Sequence, residues 1–407
     1  MKHTDILIIG GGASGLAAAI AAKRTDSKKS VMVLEHLPKV GKKILATGNG
    51  RCNLGNLNAA EHAYTNMRFA SYAIKKYGTD SLVEFFESTG LYTRADSEGR
   101  LDPMSNSAAS VLDALRFECE NLDVLFCCEE KVTEIKKCTD GFTVNDAYKS
   151  KNVIVATGGK SAPSQGSDGS GYPLLKSLGH KITTLAPSLV QIKTDTAKIK
   201  SLKGVRAKAS LTLSTGGNSE GEILFTDYGV SGIAAMDLSR FVKPDAKAEI
   251  SIDLLPEFSQ DKAKDIIIQI ANHNPNVSAE QMLGGIVHKA IGTAAIKSAL
   301  GFMPKTAGEI KPKQAAIIAA ELKCFRLKVT GTKSFNDAQV TKGGADVSEF
   351  DSRTMMSKKH SGLFACGEVL DVDGACGGFN LAWAIASGRL AGENAAKQYN
   401  FTLTQQP

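Results

Sequence analysis

None of the eight cysteines in this 407-residue chain forms a C-x-x-C pair. That spacing supports many zinc sites, iron–sulfur clusters and dithiol redox pairs, so its absence argues against all three, and no metal is expected. No apolar run reaches the roughly 18–20 residues needed to span a bilayer, so no membrane partner is expected. Internal repeats and low-complexity linkers are absent. Aromatic residues make up 6% of the chain, with a single tryptophan, Trp383. Basic stretches interleaved with aromatics are also missing, as are base-reading motifs. The net charge of +7 comes from scattered lysines, which reads as solvated surface rather than a nucleic-acid partner.

What remains is an ordinary globular composition, 43% hydrophobic and 22% charged, long enough for two or three domains. An apolar strand starts at residue 5, which leads to the expectation of no secretory signal, a cytoplasmic location and reduced thiols. Residues 5–15 read DILIIGGGASG. Asp5–Ile9 suits a buried parallel strand. Gly10, Gly12 and Gly15 match G-x-G-x-x-G, and an Ala-rich helix follows. The N-terminal N–H groups of that helix would face a pyrophosphate, and Ala13 is a cofactor-binding candidate. Glu35 closes the second strand, Val31–Leu34, where a carboxylate accepts from an adenosine ribose. An acid here argues against a 2′-phosphate and leaves FAD or NAD. Lys42 and Lys43 lie just beyond, in the glycine-rich segment GKKILATGNGRCN (41–53).

Helical patterns dominate residues 65–125, including 71–90 and 107–120. Strand patterns follow at 123–126, 131–136 and 141–145, ending in the apolar run 152–157 before Gly158 and Gly159. Short alternating strands at 189–193, 207–214, 221–226 and 248–253 predict a small antiparallel sheet or barrel. Residues 257–325 have helical spacing. The chain then returns to its first pattern: an apolar strand (362–366), Gly367-Glu368, a glycine-rich loop and an Ala-rich helix from about 381 to 397. The expected architecture is α/β. A Rossmann-like FAD-binding domain spans 1–187 plus 330–407, a β-barrel-like insert spans 188–256 and a helical insert spans 257–329.

The second glycine system favours FAD over NAD. FAD is long, and its ribityl chain needs a polar partner such as Glu368 near the last strand. The N-terminus of the last helix, at Gly378-Phe379-Asn380, can stabilise negative charge on a reduced flavin.

These motifs resemble the HI0933-like, aminoacetone-oxidase-like FAD-dependent oxidoreductases, to which a bile-acid-inducible flavoprotein reductase is similar. The matching stretches are IIGGGASGLAAAI, GKKILATGNGRCNLGN, VIVATGG, GEILFTDYGVSG, NDAQVTKGGADVSEFDSRTMMSK and GLFACGEVLDVDGACGGFNLAWAIASG. The resemblance implies a two-dinucleotide-binding-type fold. It places Ser14, Gly15, Glu35, Lys42, Arg51, Cys52 and Asn53 around the adenosine and pyrophosphate, and the backbone of Val132 at adenine. It places Thr157 and Gly158 at the middle of FAD, and Glu368, Asp373, Gly378, Phe379 and Asn380 near the ribityl and flavin. Many similar chains carry His where Asp227 stands and Pro where Ile233 stands.

Tyr228, with Asp227, is the candidate proton donor to an enolate. The expected reaction is NAD(P)H-driven reduction of a conjugated enone by a flavin. The candidate substrate is a 3-oxo-4,6-diene bile-acid intermediate, and the nicotinamide binds only transiently. Two alternatives stand beside it: an O₂-using amine oxidase, and an FAD-binding RNA-modifying or redox-sensing protein. Oligomeric state is not legible in the sequence.

Overall fold

Four consecutive aliphatic residues, Ile6 to Ile9, are buried on both faces of a sheet, as a central parallel strand requires. The computed structural model describes residues 1–58, 63–243 and 247–397. The chain forms two units: residues to Ala186 together with those from Val340 on, and Pro187–Gln339.

In the first unit, Lys2–Ile9 lies between Val31–Leu34 and Tyr148–Val155, parallel to both. Leu125–Cys127 adds beyond Val31–Leu34, and Leu363–Ala365 adds beside Tyr148–Val155, both parallel. Five parallel strands therefore run in the order 125–127, 31–34, 2–9, 148–155, 363–365, and the strands at Ile135–Cys138 and Gly141–Val144 extend the sheet antiparallel. Residues 131–134, expected as strand, are irregular. The expected helix over 71–90 is two helices, Met67–Lys76 and Thr79–Glu87, separated at Tyr77-Gly78.

The first helix, Ala13–Thr25, packs on the last, Phe379–Ala396, through small residues one turn apart. A Cβ added at Gly388 would sit 2.3 Å from Ser14 O, and one at Gly392 2.0 Å from Ala18 O. Only glycine permits this backbone approach, and it brings Ser14 against the end of the last strand.

The second unit is a closed six-stranded antiparallel barrel with helices on it. Its strands are Ile192–Thr194, Gly229–Ser231, Asn218–Phe225, Arg206–Leu213, Ala248–Asp253 and Phe325–Thr332. The last of these pairs back to the first. Phe325–Thr332 comes after the helices Gln260–His273, Lys289–Leu300 and Pro312–Lys323. Barrel side chains such as Leu211, Ile250 and Phe325 share one apolar core with Ile267, Ala295 and Ile318 of those helices. The β and helical segments are thus one body, because the closing strand lies beyond the helical stretch.

Candidate cofactor site

The carboxyl ends of the parallel strands carry the motif residues. Gly10 has φ +106°, and a Cβ there would meet Ala156 O at 2.5 Å. A Cβ at Gly15 would be 2.0 Å from Gly10 O, so the helix and the turn touch backbone to backbone. A Cβ at Gly12 would meet nothing within 4 Å. No side chain caps the first helix, and its N-terminal N–H groups face this open side.

Glu35 is buried. Its Oε2 accepts from Gly11 N at 2.8 Å, its Oε1 accepts from Leu37 N at 2.9 Å, and His36 Nδ1 is 3.1 Å away. The carboxylate is therefore fixed against the glycine turn, with lone pairs left over. Segment 127–130 runs alongside, with Cys127 O accepting from Glu35 N and Glu130 N donating to Glu35 O. Val132 follows, and its own N–H and C=O have no backbone partner among the described residues.

Beyond the glycine turn, Gly158 has φ +71° beside Ser167, and Thr157 Oγ1 is buried without a hydrogen-bond partner among the described residues. Asn53 Oδ1 is also buried and unpartnered, 2.3 Å from where a Gly378 Cβ would stand. Gly378 is the left-handed N-cap of the last helix. Open space over Gly12, an uncapped helix N-terminus, a fixed acid and unpartnered buried oxygens at Thr157 and Asn53 are features that fit an adenine dinucleotide.

Other expected residues have partners within the chain or face solvent. Asp373 is buried and accepts from Thr65 Oγ1 at 2.7 Å. The Asn380 side chain clamps its own loop, accepting from Gly374 N at 2.7 Å and donating to Gly374 O at 2.9 Å. Phe379 packs edge-on against Tyr64. Arg51 and Lys42 are exposed. Lys43, the neighbour of Lys42, reaches Glu368 Oε2 at 2.9 Å instead. Glu368 Oε1 accepts from Thr341 N at 2.8 Å. Adjacency in sequence does not reveal which lysine of a one-turn helix faces inward, so Lys43 and Thr341 were not separable from their neighbours.

Cysteine chemistry finds no support at this edge. Burial pushes the Cys52 thiol up to about 11 and the Cys366 thiol up to about 12. A Ser–His–Glu arrangement exists elsewhere in the first unit: Ser357 Oγ to His180 Nε2 at 3.0 Å, and His180 Nδ1 to Glu349 Oε2 at 2.9 Å. Its distances match a hydrolytic triad, but Ser357 is 3% exposed and its Oγ already accepts from Lys359 N and His360 N. Burial also lowers the basicity of His180, against the pull of Glu349. This is a packing network, with His180 stacked on Phe350.

In the second unit, Asp227 and Tyr228 form the turn between strands Asn218–Phe225 and Gly229–Ser231. Asp227 is exposed and paired with Lys203 at 2.7 Å, which holds its carboxyl below the usual range. Lys333 Nζ lies 4.4 Å from the Tyr228 ring centroid.

The family model described as the HI0933-like protein Rossmann domain matches residues 4–394. The chain belongs to this family. It has the Rossmann-type FAD-binding fold and is an FAD-dependent oxidoreductase. It is 36% identical over 404 residues to the 3-dehydro-bile acid delta(4,6)-reductase of Clostridium scindens, covering 96% of this chain and 98% of the relative. It is 29% identical to the ribosomal RNA dihydrouridine synthase of Escherichia coli, covering 95% of this chain and 96% of the relative. Among solved structures, quinol fumarate reductase of Escherichia coli shares the fold at a TM-score of 0.50 and 16% identity, over 97% of this chain and 70% of that one. Among the described residues no helix is long and apolar enough to cross a membrane, and no group of three or more His, Cys, Asp or Glu side chains suits a metal ion.

Proposed function

We propose that the protein reduces a carbon–carbon double bond conjugated to a carbonyl, drawing its electrons from NAD(P)H. The substrate in this reading is an apolar organic molecule of the 3-oxo-4,6-diene bile-acid type. The supporting observation is shared by two relatives. One, 36% identical, is named a delta(4,6)-reductase of a 3-dehydro-bile acid, and another, 29% identical, a dihydrouridine synthase. Dihydrouridine is uridine with the double bond next to its ring carbonyl saturated. Both names therefore describe hydride addition to a conjugated C=C, on very different molecules.

Bound FAD supplies the hydride. The chain's own part is to hold and to protonate. Glu35, Val132, Thr157 and Asn53 offer acceptors along the crevice, with Gly10, Gly12, Ala13, Ser14, Gly15 and Gly158 shaping it. The N-terminus of the last helix faces developing negative charge. Tyr228 Oη donates the proton that completes the reduction at the substrate carbon next to the carbonyl. Asp227, held ionised by Lys203, has no proton to give at neutral pH, so it drops out of that role.

A second reading takes ribosomal RNA as substrate. Two relatives favour it, 29% and 28% identical over 95% of this chain, each named a ribosomal RNA dihydrouridine synthase.

Anaerobic mixing of the FAD-loaded protein with NADH and then NADPH, followed by flavin absorbance, tests the reading. Bleaching at about 1–1000 per second is expected. The reduced protein is then mixed with a 3-oxo-4,6-diene steroid or with unmodified ribosomal RNA, and reoxidation identifies the substrate. No bleaching with either nucleotide overturns the reductase reading in favour of amine oxidation with O₂.

A further inference from the structure

One ion pair crosses the crevice. The strands Val31–Leu34, Lys2–Ile9, Tyr148–Val155 and Leu363–Ala365 lie side by side in that order. Lys43 follows the first of these in sequence, and Glu368 follows the last. Their contact at 2.9 Å therefore passes over the carboxyl ends of the two central strands, where open α/β sheets bind their ligands.

Both ends of the strap are anchored to the cofactor turns. Gly41 N donates to Gly11 O at 2.8 Å, which ties the one-turn helix of Lys43 to the glycine turn. A Cβ at Gly159 would stand 2.5 Å from Glu368 Oε1, so the acid rests on the Thr157–Gly159 turn. Lys43 Nζ also lies 3.5 Å from Ser167 Oγ, the side chain beside Gly158. The two side chains are 28% and 19% exposed, so solvent screens the pair only in part.

A carboxylate that serves the ribityl hydroxyls stands next to the pyrophosphate in FAD, and its like charge opposes that group. We infer that Lys43 is a charge-neutralising positioning residue: it cancels Glu368 across the crevice, and this cancellation lets the crevice accept a dinucleotide. Lys43 acts through Glu368 and not through an independent phosphate contact. The inference rests on the FAD assignment and on no choice of substrate.

The test is a double-mutant cycle read as FAD affinity, by titrating apo-protein and following flavin fluorescence. Lys43→Met is expected to weaken FAD at least about tenfold, because it leaves an uncompensated carboxylate. In the Glu368→Gln background the same substitution is expected to cost less than about threefold. Raising the salt concentration recovers part of the single-mutant loss, because salt screens like-charge repulsion. Lys43→Arg, which keeps the charge, stays near wild type. Equal losses in both backgrounds overturn the inference and make Lys43 a direct phosphate ligand. If Lys43→Met does not fold, Lys43→Gln, which keeps a polar side chain, replaces it in the same cycle. A wild-type chain that takes up no FAD overturns the cofactor assignment instead.

Discussion

Two turns of this protein are built in opposite ways. At Gly10–Gly15 the backbone makes the site, with no room for a methyl group at Gly10 or Gly15 and a buried acid pinned by main-chain N–H groups. At Thr226–Gly229 in the other unit, the side chains Asp227 and Lys203 make the surface, 59% and 68% exposed, and they face water. A site made of backbone tolerates almost no substitution. A site made of exposed side chains can be rewritten one residue at a time. On the proposed reading, the backbone-built turn keeps the cofactor while exposed side chains are free to change, in keeping with two relatives whose names describe one chemistry on a bile acid and on ribosomal RNA.

The largest test of this contrast is a methyl group. Gly392→Ala places a carbon 2.0 Å from Ala18 O, so the first and last helices must separate. Overpacking against backbone is expected to cost about 3 kcal/mol, and to weaken FAD because Ser14 moves with its helix. Gly285→Ala in the second unit meets nothing within 4 Å, and its effect stays within about 0.5 kcal/mol. Urea midpoints of the two variants decide, and equal losses would erase the distinction.

A hydroxyl comes next. Tyr228→Phe is expected to leave bleaching by NAD(P)H unchanged and to slow reoxidation by substrate about 100-fold or more, the usual weight of a positioned acid. Asp227→Asn, which removes only an exposed ion pair, should change that rate less than about threefold. If the two variants behave alike, the turn has no chemical role. Smaller again is Glu35→Ala. It orphans Gly11 N and Leu37 N and removes a ribose acceptor, so FAD should bind about tenfold more weakly, measured by titration.

Much of the first site was legible because its physics is local. A parallel strand, three spaced glycines and an acid at the next strand end lie within 35 residues, and each has one reading. Glu368 was legible for the same reason, since it directly follows a short apolar strand. What escaped depends on orientation or on distant partners. Lys43 and Lys42 differ only in which side of a single helical turn they occupy. Asn380 sits beside the expected flavin end, yet its amide holds Gly374. Thr341 meets Glu368 from 27 residues away. The strand Phe325–Thr332 alternates clearly, with Phe325 and Leu327 buried and Arg326 and Lys328 exposed, but alternation cannot announce that it closes a barrel begun over a hundred residues earlier. Its pairing with Ile192–Thr194 is a tertiary fact with no local signal.

The smallest effect concerns pH and belongs to the first unit alone. His180 is buried among Glu349, Ser357, Phe350, Lys359 and His360, and burial lowers its pKa against the pull of Glu349. In the unfolded chain it titrates near 6.5, so as pH falls below about 6.5 the unfolded state takes up a proton that the folded state refuses, and stability drops. Glu349 is different. Although burial pulls its carboxyl up, bonds from Lys359, Lys181 and His180 hold it below the usual range, so its contribution is lost only at more acid pH. Asp371, pushed up by burial, acts in the opposite sense, so the raw slope does not isolate the histidine. The difference between wild type and His180→Gln does. Urea unfolding at pH 7.5, 6.5 and 5.5 should show wild-type stability falling toward acid more steeply than that of the variant. Parallel slopes would move the acid sensitivity out of this network and remove one of the physical contrasts between the two units.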